Sequence, residues 1–303
     1  MDDNLPSLTA RRSRWGEFTL EKIFLLCALI SVVTTACVIA ILVVETNNFL
    51  STVSVTEFLF GTRWTPLLEP KHYGILPLVA GTTLIVLGSS LVAIPVGVAS
   101  AVFLSEFASE RTRAIVKPIL EVLAGIPTVV YGYFALTFVT PLLRGVFDDI
   151  QVFNAMSAAI VVAIMVLPMI ASLCDDALRS VPDSLRHGAY SLGATSFEVS
   201  VRVVIPAALS GIFAAFVLAI SRAIGETMAV TLAAGATPNL TLNPLESIQT
   251  MTAYIVQVSL GDTPAGSITY QTLFAVASVL FAITFVLNIL GTWVMRRFRE
   301  VYD

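Results

Sequence analysis

Long apolar runs constrain this chain more than any other feature. A helix that crosses the hydrocarbon core of a bilayer needs about 20 mostly apolar residues. Six segments meet that length, at residues 20–44, 74–104, 115–143, 153–173, 207–234 and 269–295. Of the 303 residues, 56% are hydrophobic and 13% charged, about half the charge of an ordinary soluble domain. The expected fold class is therefore an all-α polytopic membrane protein with six transmembrane helices. The first run continues well past the ~7–15 residues of a signal-peptide core, so it is read as an uncleaved helix. Pro77 and Pro95 in the second span, Pro118 and Pro127 in the third and Pro168 in the fourth predict kinks. Backbone groups freed at a kink need protein or water partners, which places some kinks beside a cavity.

Basic residues set the orientation. Arg11, Arg12, Arg14 and Lys22 precede or open the first span. Arg111, Arg113 and Lys117 follow the second, Arg179, Arg186 and Arg202 follow the fourth, and Arg296, Arg297 and Arg299 end the chain. The opposite side holds only Arg63, Lys71 and Arg144. Positive charge accumulates on the cytoplasmic side, so both termini are expected there, with residues 1–19 as a cytoplasmic segment and 45–73 as a periplasmic loop.

One basic residue is left without a side. Arg222 lies in "SRAIGETMAV", Ser221–Val230, with Glu226 four positions on. Residues at i and i+4 share a helical face, so a silent ion pair is one reading. An arginine at a helix centre costs about 2.5–3.5 kcal/mol on insertion scales, and pairing offsets part of that. Intramembrane ionisable groups also mark substrate paths. On that second reading Arg222, Glu226, Ser221 and Thr227 border one polar stripe, and the planar arginine fork suits an oxyanion. Glu121 is expected to pair with Lys117 near the cytoplasmic interface, as a structural residue or a gate. Gly125-Ile126-Pro127 and Gly132 offer small or kinked packing surfaces.

Several function classes are excluded. A net charge of −4 without a basic block argues against nucleic acid. Cys27, Cys37 and Cys174 show no C-x-x-C spacing and only His72 and His187 are present, which leaves no metal site or disulfide framework. The spans carry no H-E-x-x-H, Ser/His pair or Asp pair, so no catalytic residue is assigned. No G-x-x-x-x-G-K-[ST] is present to cradle ATP phosphates.

The connection 174–206 reads as helix–turn–helix. Ser180 and Asp183 form a capping-box pattern with Pro182 in the first turn. Leu185, Ala189 and Leu192 then share a face, Gly193 stops the helix, and Thr195 with Glu198 form a second capping box ahead of Pro206. An amphipathic helix lying on membrane lipid is the rival reading, weakened by sparse basic and aromatic residues.

His187-Gly188-Ala189, Gly193 and Val203-Val204-Ile205-Pro206 stand at the spacing of the EAA loop, and so this segment resembles the ATP-binding-cassette importer permeases. There the loop is the coupling helix that docks into a cytoplasmic ATPase. The resemblance assigns that contact to Leu185, Arg186, His187, Gly188, Ala189, Leu192, Gly193 and Pro206. His187 replaces the usual acidic residue and Gly188 an alanine, a departure that touches the glutamate's salt bridge and not the docking. Tyr73–Phe107, Glu121–Leu136 and Ser221–Val230 resemble the permease subunits of phosphate-specific transporters. Leu273–Gly291 and the Met-Ala-Val after Gly225-Glu226-Thr227 are similar to the PstC type of those subunits. The likeness covers about residues 58–299.

The resemblance implies a type I importer (MetI-like) permease fold, with a core over 74–299, in a bacterial-type inner membrane. It implies a PstA-like sister permease, two PstB-like ATPase subunits that hold ATP and Mg, a PstS-like phosphate-binding protein and inorganic phosphate as cargo. No cofactor is expected in this chain. Sulfate, molybdate or an amino acid as cargo, or a stand-alone anion channel, are the alternatives. The EAA-type loop disfavours the channel.

Overall fold

The computed structural model describes residues 14–297, with side chains from Phe18 onward. Arg11, Arg12, Arg299 and most of the expected 1–19 segment lie outside these residues. Among the described residues the elements are helices joined by turns and extended loops. Four helices are long and apolar enough to cross a membrane, and six spans result if each of two bent pairs counts once.

Helix α1, Arg14–Leu50, is 37 residues long, about 55 Å at 1.5 Å per residue. Its side chains are exposed along most of its length, as lipid-facing residues are. Its C-terminal end is pinned to α14, Ile268–Arg297, through Thr46 Oγ1 and Ser278 Oγ at 2.7 Å. Beyond it the short α2, Val55–Phe60, helps build an aromatic cluster at that end. Phe49, Phe58 and Trp64 are buried there, and the Trp64 ring meets Tyr254 edge-on at 4.9 Å.

Helix α3, Leu76–Val102, runs on through a π-turn at Phe103–Phe107. Pro77 sits in its first turn, where the missing N–H costs nothing, so it caps the span and does not kink it. Helix α7, Ala155–Arg179, is the central post. Asn154 caps it by accepting the Ser157 N–H at 2.7 Å, and its buried Val161, Val162, Met165 and Ile170 fill the main core. The sequence places the end of this span at residue 173. The helix continues to Arg179, because Asp175 and Asp176 are neutralised there by Arg113 and Lys117.

Two spans depart from the sequence reading. The expected third span, 115–143, is broken into α4, Glu110–Ala124, and the run Thr128–Arg144, which meet at 88°. That run comprises α5, Thr128–Phe134, a π-turn at Ala135–Val139 and α6, Thr140–Arg144. Pro127 has no N–H to donate and pushes Ile126 out of the helical region, which ends α4 at Gly125. The Tyr131 hydroxyl reaches back across the break to the Leu123 carbonyl at 2.9 Å.

The expected fifth span, 207–234, is likewise two helices, α11, Leu209–Ile224, and α12, Met228–Ala234. Between α7 and α11 lie α8, Asp183–Ser191, α9, Ser196–Val199, a π-turn at Ser200–Val204 and α10, Ile205–Ala207. The segment 196–207 meets α11 at 69°. An extended segment then leads to α13, Met251–Leu260. Gly132 lets α5 approach α12. A Cβ there would lie 2.9 Å from the Leu232 Cβ and 3.1 Å from the Ala229 Cα, so packing is the use the structure makes of it.

Candidate functional site: an arginine-lined cavity and a coupling loop

The break between α11 and α12 decides what Arg222 and Glu226 can do. Arg222 occupies the last turn of α11, and Gly225 caps that helix. A cation there complements the negative helix end. Glu226 falls in the break and is 8% exposed. Its Oε1 accepts the Ala229 N–H at 3.2 Å at the start of α12, and its carbonyl accepts the Thr252 hydroxyl at 2.7 Å. A carboxylate at a helix N-terminus is favourable for the same dipolar reason.

The i, i+4 geometry needs a continuous helix, and the chain turns at Gly225. Among the described residues no ion pair joins Arg222 to Glu226. The silent-pair reading falls on that point, and with it the idea that Glu226 neutralises Arg222. Ser221 and Thr227 turn to partners of their own. Ser221 Oγ donates to Asn288 Oδ1 on α14 at 3.4 Å, and Thr227 Oγ1 to the Gly225 carbonyl at 3.1 Å.

Arg222 instead lines a cavity of about 290 Å³ together with Glu121, Met165, Pro168 and Ser172. Pro168, whose kink was expected beside a cavity, is in its wall. The ion pair expected of Glu121 is absent among the described residues. Lys117 does not pair with it. Its Nζ lies 2.7 Å from Asp176 Oδ1 and 3.6 Å from Asp175 Oδ2. Arg113 Nη2 contacts Asp175 Oδ2 at 2.6 Å, with Asp175 almost fully buried. These pairs clamp α4 to the end of α7. The spacing Lys117–Glu121 carried no sign of a rival partner some 60 residues away in sequence. A second cavity, about 530 Å³, opens beside this clamp, lined by Glu110, Arg113, Lys117, Glu121 and Arg179 among others.

The connection from α7 to α11 is helix–turn–helix, with corrections in detail. Pro182 itself is the N-cap of α8, and no side chain caps that helix. Ser180 Oγ donates to the Ala177 carbonyl at 2.7 Å, so the first capping box is absent. The second is present. Thr195 Oγ1 accepts from Glu198 N at 3.3 Å and Glu198 Oε2 accepts from Thr195 N at 3.0 Å. The backbone and hydroxyl bonds from Thr195, and the nearby Arg202 charge, hold the Glu198 carboxyl below the usual glutamate range. Gly193 ends the turn after α8 at φ +84°, a left-handed conformation that favours glycine.

Leu185, His187, Gly188, Leu192, Gly193 and Pro206 are exposed. Leu192 is 90% and Phe197 67% exposed, and a Cβ on Gly188 would meet open space. Ala189 turns inward and packs on the main core. Arg186 also turns inward and is not part of the outward face. Its Nη1 donates to both Glu106 carboxylate oxygens at 2.6 Å, and its Nη2 to the Leu178 carbonyl at 2.8 Å. Helix α8 is thus latched to the π-turn that ends α3 and to the last turns of α7.

Comparison with known proteins agrees with this architecture. Residues 93–300 match the family model for the inner membrane component of binding-protein-dependent transport systems. The probable ABC transporter permease protein YqgH of Bacillus subtilis is 34% identical over 273 residues, 89% of this chain and 88% of that protein. The phosphate transport system permease protein PstC of Mesorhizobium japonicum is 32% identical over 260 residues, covering 80% and 78%. A solved bacterial alginate ABC transporter, in complex with its alginate pentasaccharide-bound periplasmic protein, superposes with a TM-score of 0.62 at 15% identity. That match covers 96% of this chain and 100% of the other, and shows a shared fold. The chain is a multi-pass membrane protein that belongs to the inner membrane component family of binding-protein-dependent transport systems.

Proposed function

We propose that this chain is the permease subunit of an ATP-driven inorganic phosphate importer, and that Arg222 carries the anion through it. One observation supports this reading above the others. The only basic residue assigned to the apolar interior stands beside a cavity, at a break in its span, with no ion-pair partner among the described residues. An arginine so placed is costly in lipid unless the cavity admits water or an anion, and its fork matches phosphate oxygens. The kinship to permeases named for phosphate transport supplies the choice of phosphate among oxyanions. Because Glu226 is held in the start of α12, it does not compete with the anion for Arg222. Passage needs binding that is attractive yet readily left, and a single cation meets that need.

The chain itself is a conduit without catalytic residues or cofactor. A PstB-like ATPase pair binds ATP and Mg. Those subunits receive the exposed face of α8 through Leu185, His187, Gly188 and Leu192. A PstA-like permease completes the path, and a PstS-like protein delivers phosphate from outside. Both termini lie on the cytoplasmic side of a bacterial inner membrane. The test is uptake of radiolabelled phosphate by proteoliposomes holding the full importer. Arg222→Gln is expected to reduce uptake to background while the complex still assembles and hydrolyses ATP. Uptake at the normal rate sinks the path role.

A further inference from the structure

The cavity at Arg222 and the larger cavity beside the α4–α7 clamp have one lining residue in common, Glu121. Its carboxylate makes no ion pair and no side-chain hydrogen bond among the described residues. The cations nearest in sequence are engaged elsewhere, Lys117 by Asp176 and Arg113 by Asp175. No other acidic residue lines the Arg222 cavity, since Glu226 is buried as a helix cap. An anion leaving Arg222 for the outer mouth, lined by Arg113, Lys117, Arg179 and Glu110, therefore meets the bare Glu121 carboxylate first.

A bare carboxylate only accepts hydrogen bonds. It repels an oxyanion that carries no proton, but it accepts a strong, charge-assisted bond from an oxyanion that keeps one. Near neutral pH both ionic forms of phosphate retain a P–OH, whereas sulfate has lost every proton. We propose that Glu121 makes the Arg222 cavity selective for a protonated oxyanion, phosphate over sulfate. Arg222 takes the bare oxygens and Glu121 accepts from the hydroxyl. The logic is that of any site built to bond a substrate hydroxyl, which rejects the analogue lacking it. The inference rests on the phosphate reading above and names a residue for its selectivity.

The test uses the purified permease–ATPase complex without the binding protein, so that the delivery protein's own selectivity is not read. Equilibrium binding of labelled phosphate and labelled sulfate is measured for wild type, Glu121→Gln, Glu121→Asp and Arg222→Gln. Wild type is expected to prefer phosphate by about tenfold or more, the scale of one hydrogen bond to a charged group. Glu121→Gln is expected to bring the ratio to within about twofold, chiefly by strengthening sulfate. Glu121→Asp keeps the carboxylate and should retain a preference, and Arg222→Gln should weaken both anions together. An unchanged ratio in Glu121→Gln overturns the proposal, as does a wild-type complex with no preference. Phosphate uptake by wild-type proteoliposomes with the binding protein present separates the two readings. If uptake is present and the ratio unchanged, only the Glu121 role fails. If uptake is absent, the phosphate reading itself fails and takes the Glu121 role with it.

Discussion

Replacing Glu106 with glutamine should unlatch helix α8, the proposed ATPase-coupling helix. In the native protein Arg186 Nη1 lies 2.6 Å from each Glu106 oxygen, and the two side chains are 15% and 5% exposed. Removing one member of a buried pair costs about 3–5 kcal/mol, because the other charge stays buried without its partner. Arg186 keeps the Leu178 carbonyl at 2.8 Å and a looser contact to Asp183 at 3.5 Å. It is also the more exposed member, so the lower end of that range applies, about 3 kcal/mol. At about 1.4 kcal/mol per decade, that raises the opening equilibrium of this latch roughly a hundredfold.

Hydrogen–deuterium exchange on the purified complex reads this directly. Amides of Asp183–Ser191 are expected to exchange faster in Glu106→Gln, while those of the central α7 segment keep wild-type rates. Phosphate taken up per ATP hydrolysed should fall, since the helix no longer moves as one with α3 and α7. The charge-exchanged variant, Glu106→Arg with Arg186→Glu, should recover part of the protection. Unchanged exchange over residues 183–191 in Glu106→Gln would refute the assignment of Arg186 as the latch.

Two further outcomes follow from the exposed and the crowded ends of the molecule. Leu192→Asp places a charge on a residue that is 90% exposed. It should abolish co-purification of the ATPase while membrane insertion and permease pairing persist, and retention of the ATPase would move the docking face elsewhere. Gly132→Ala forces a methyl to within 3 Å of Leu232. Overpacking of this kind costs about 1–3 kcal/mol, so the unfolding midpoint of the detergent-solubilised permease without its ATPase should drop, whereas Gly188→Ala, which meets open space when nothing is docked on α8, should leave it unchanged.

Much of the fold was legible from local rules. Apolar length located the candidate spans, because a bilayer core demands about 20 apolar residues whatever packs around them, although only four of the six are single unbroken helices. The Thr195–Glu198 box and the Gly193 stop were legible because each depends on groups within a few residues of one another. Where proline stood, however, the sequence showed only that helix geometry was stressed. It did not distinguish Pro168, through which α7 runs unbroken, from the 88° break after Gly125, since that choice depends on what lies beyond the break to receive the freed backbone, here the Tyr131 hydroxyl.

Charge placement divided in the same way. That Arg222 is the one cation assigned to the membrane interior follows from the sequence alone, because burial of a cation is a matter of composition along a span. Its partner is a matter of tertiary structure. Four residues separate Arg222 from Glu226, yet the turn at Gly225 gives the carboxylate to α12 and leaves the arginine to a cavity it shares with Glu121, about a hundred positions earlier. Lys117 likewise spans the distance to Asp176 in preference to its neighbour one helical turn away. Pairing energies fall off over a few ångströms, and which groups come within that range is settled by how the helices pack.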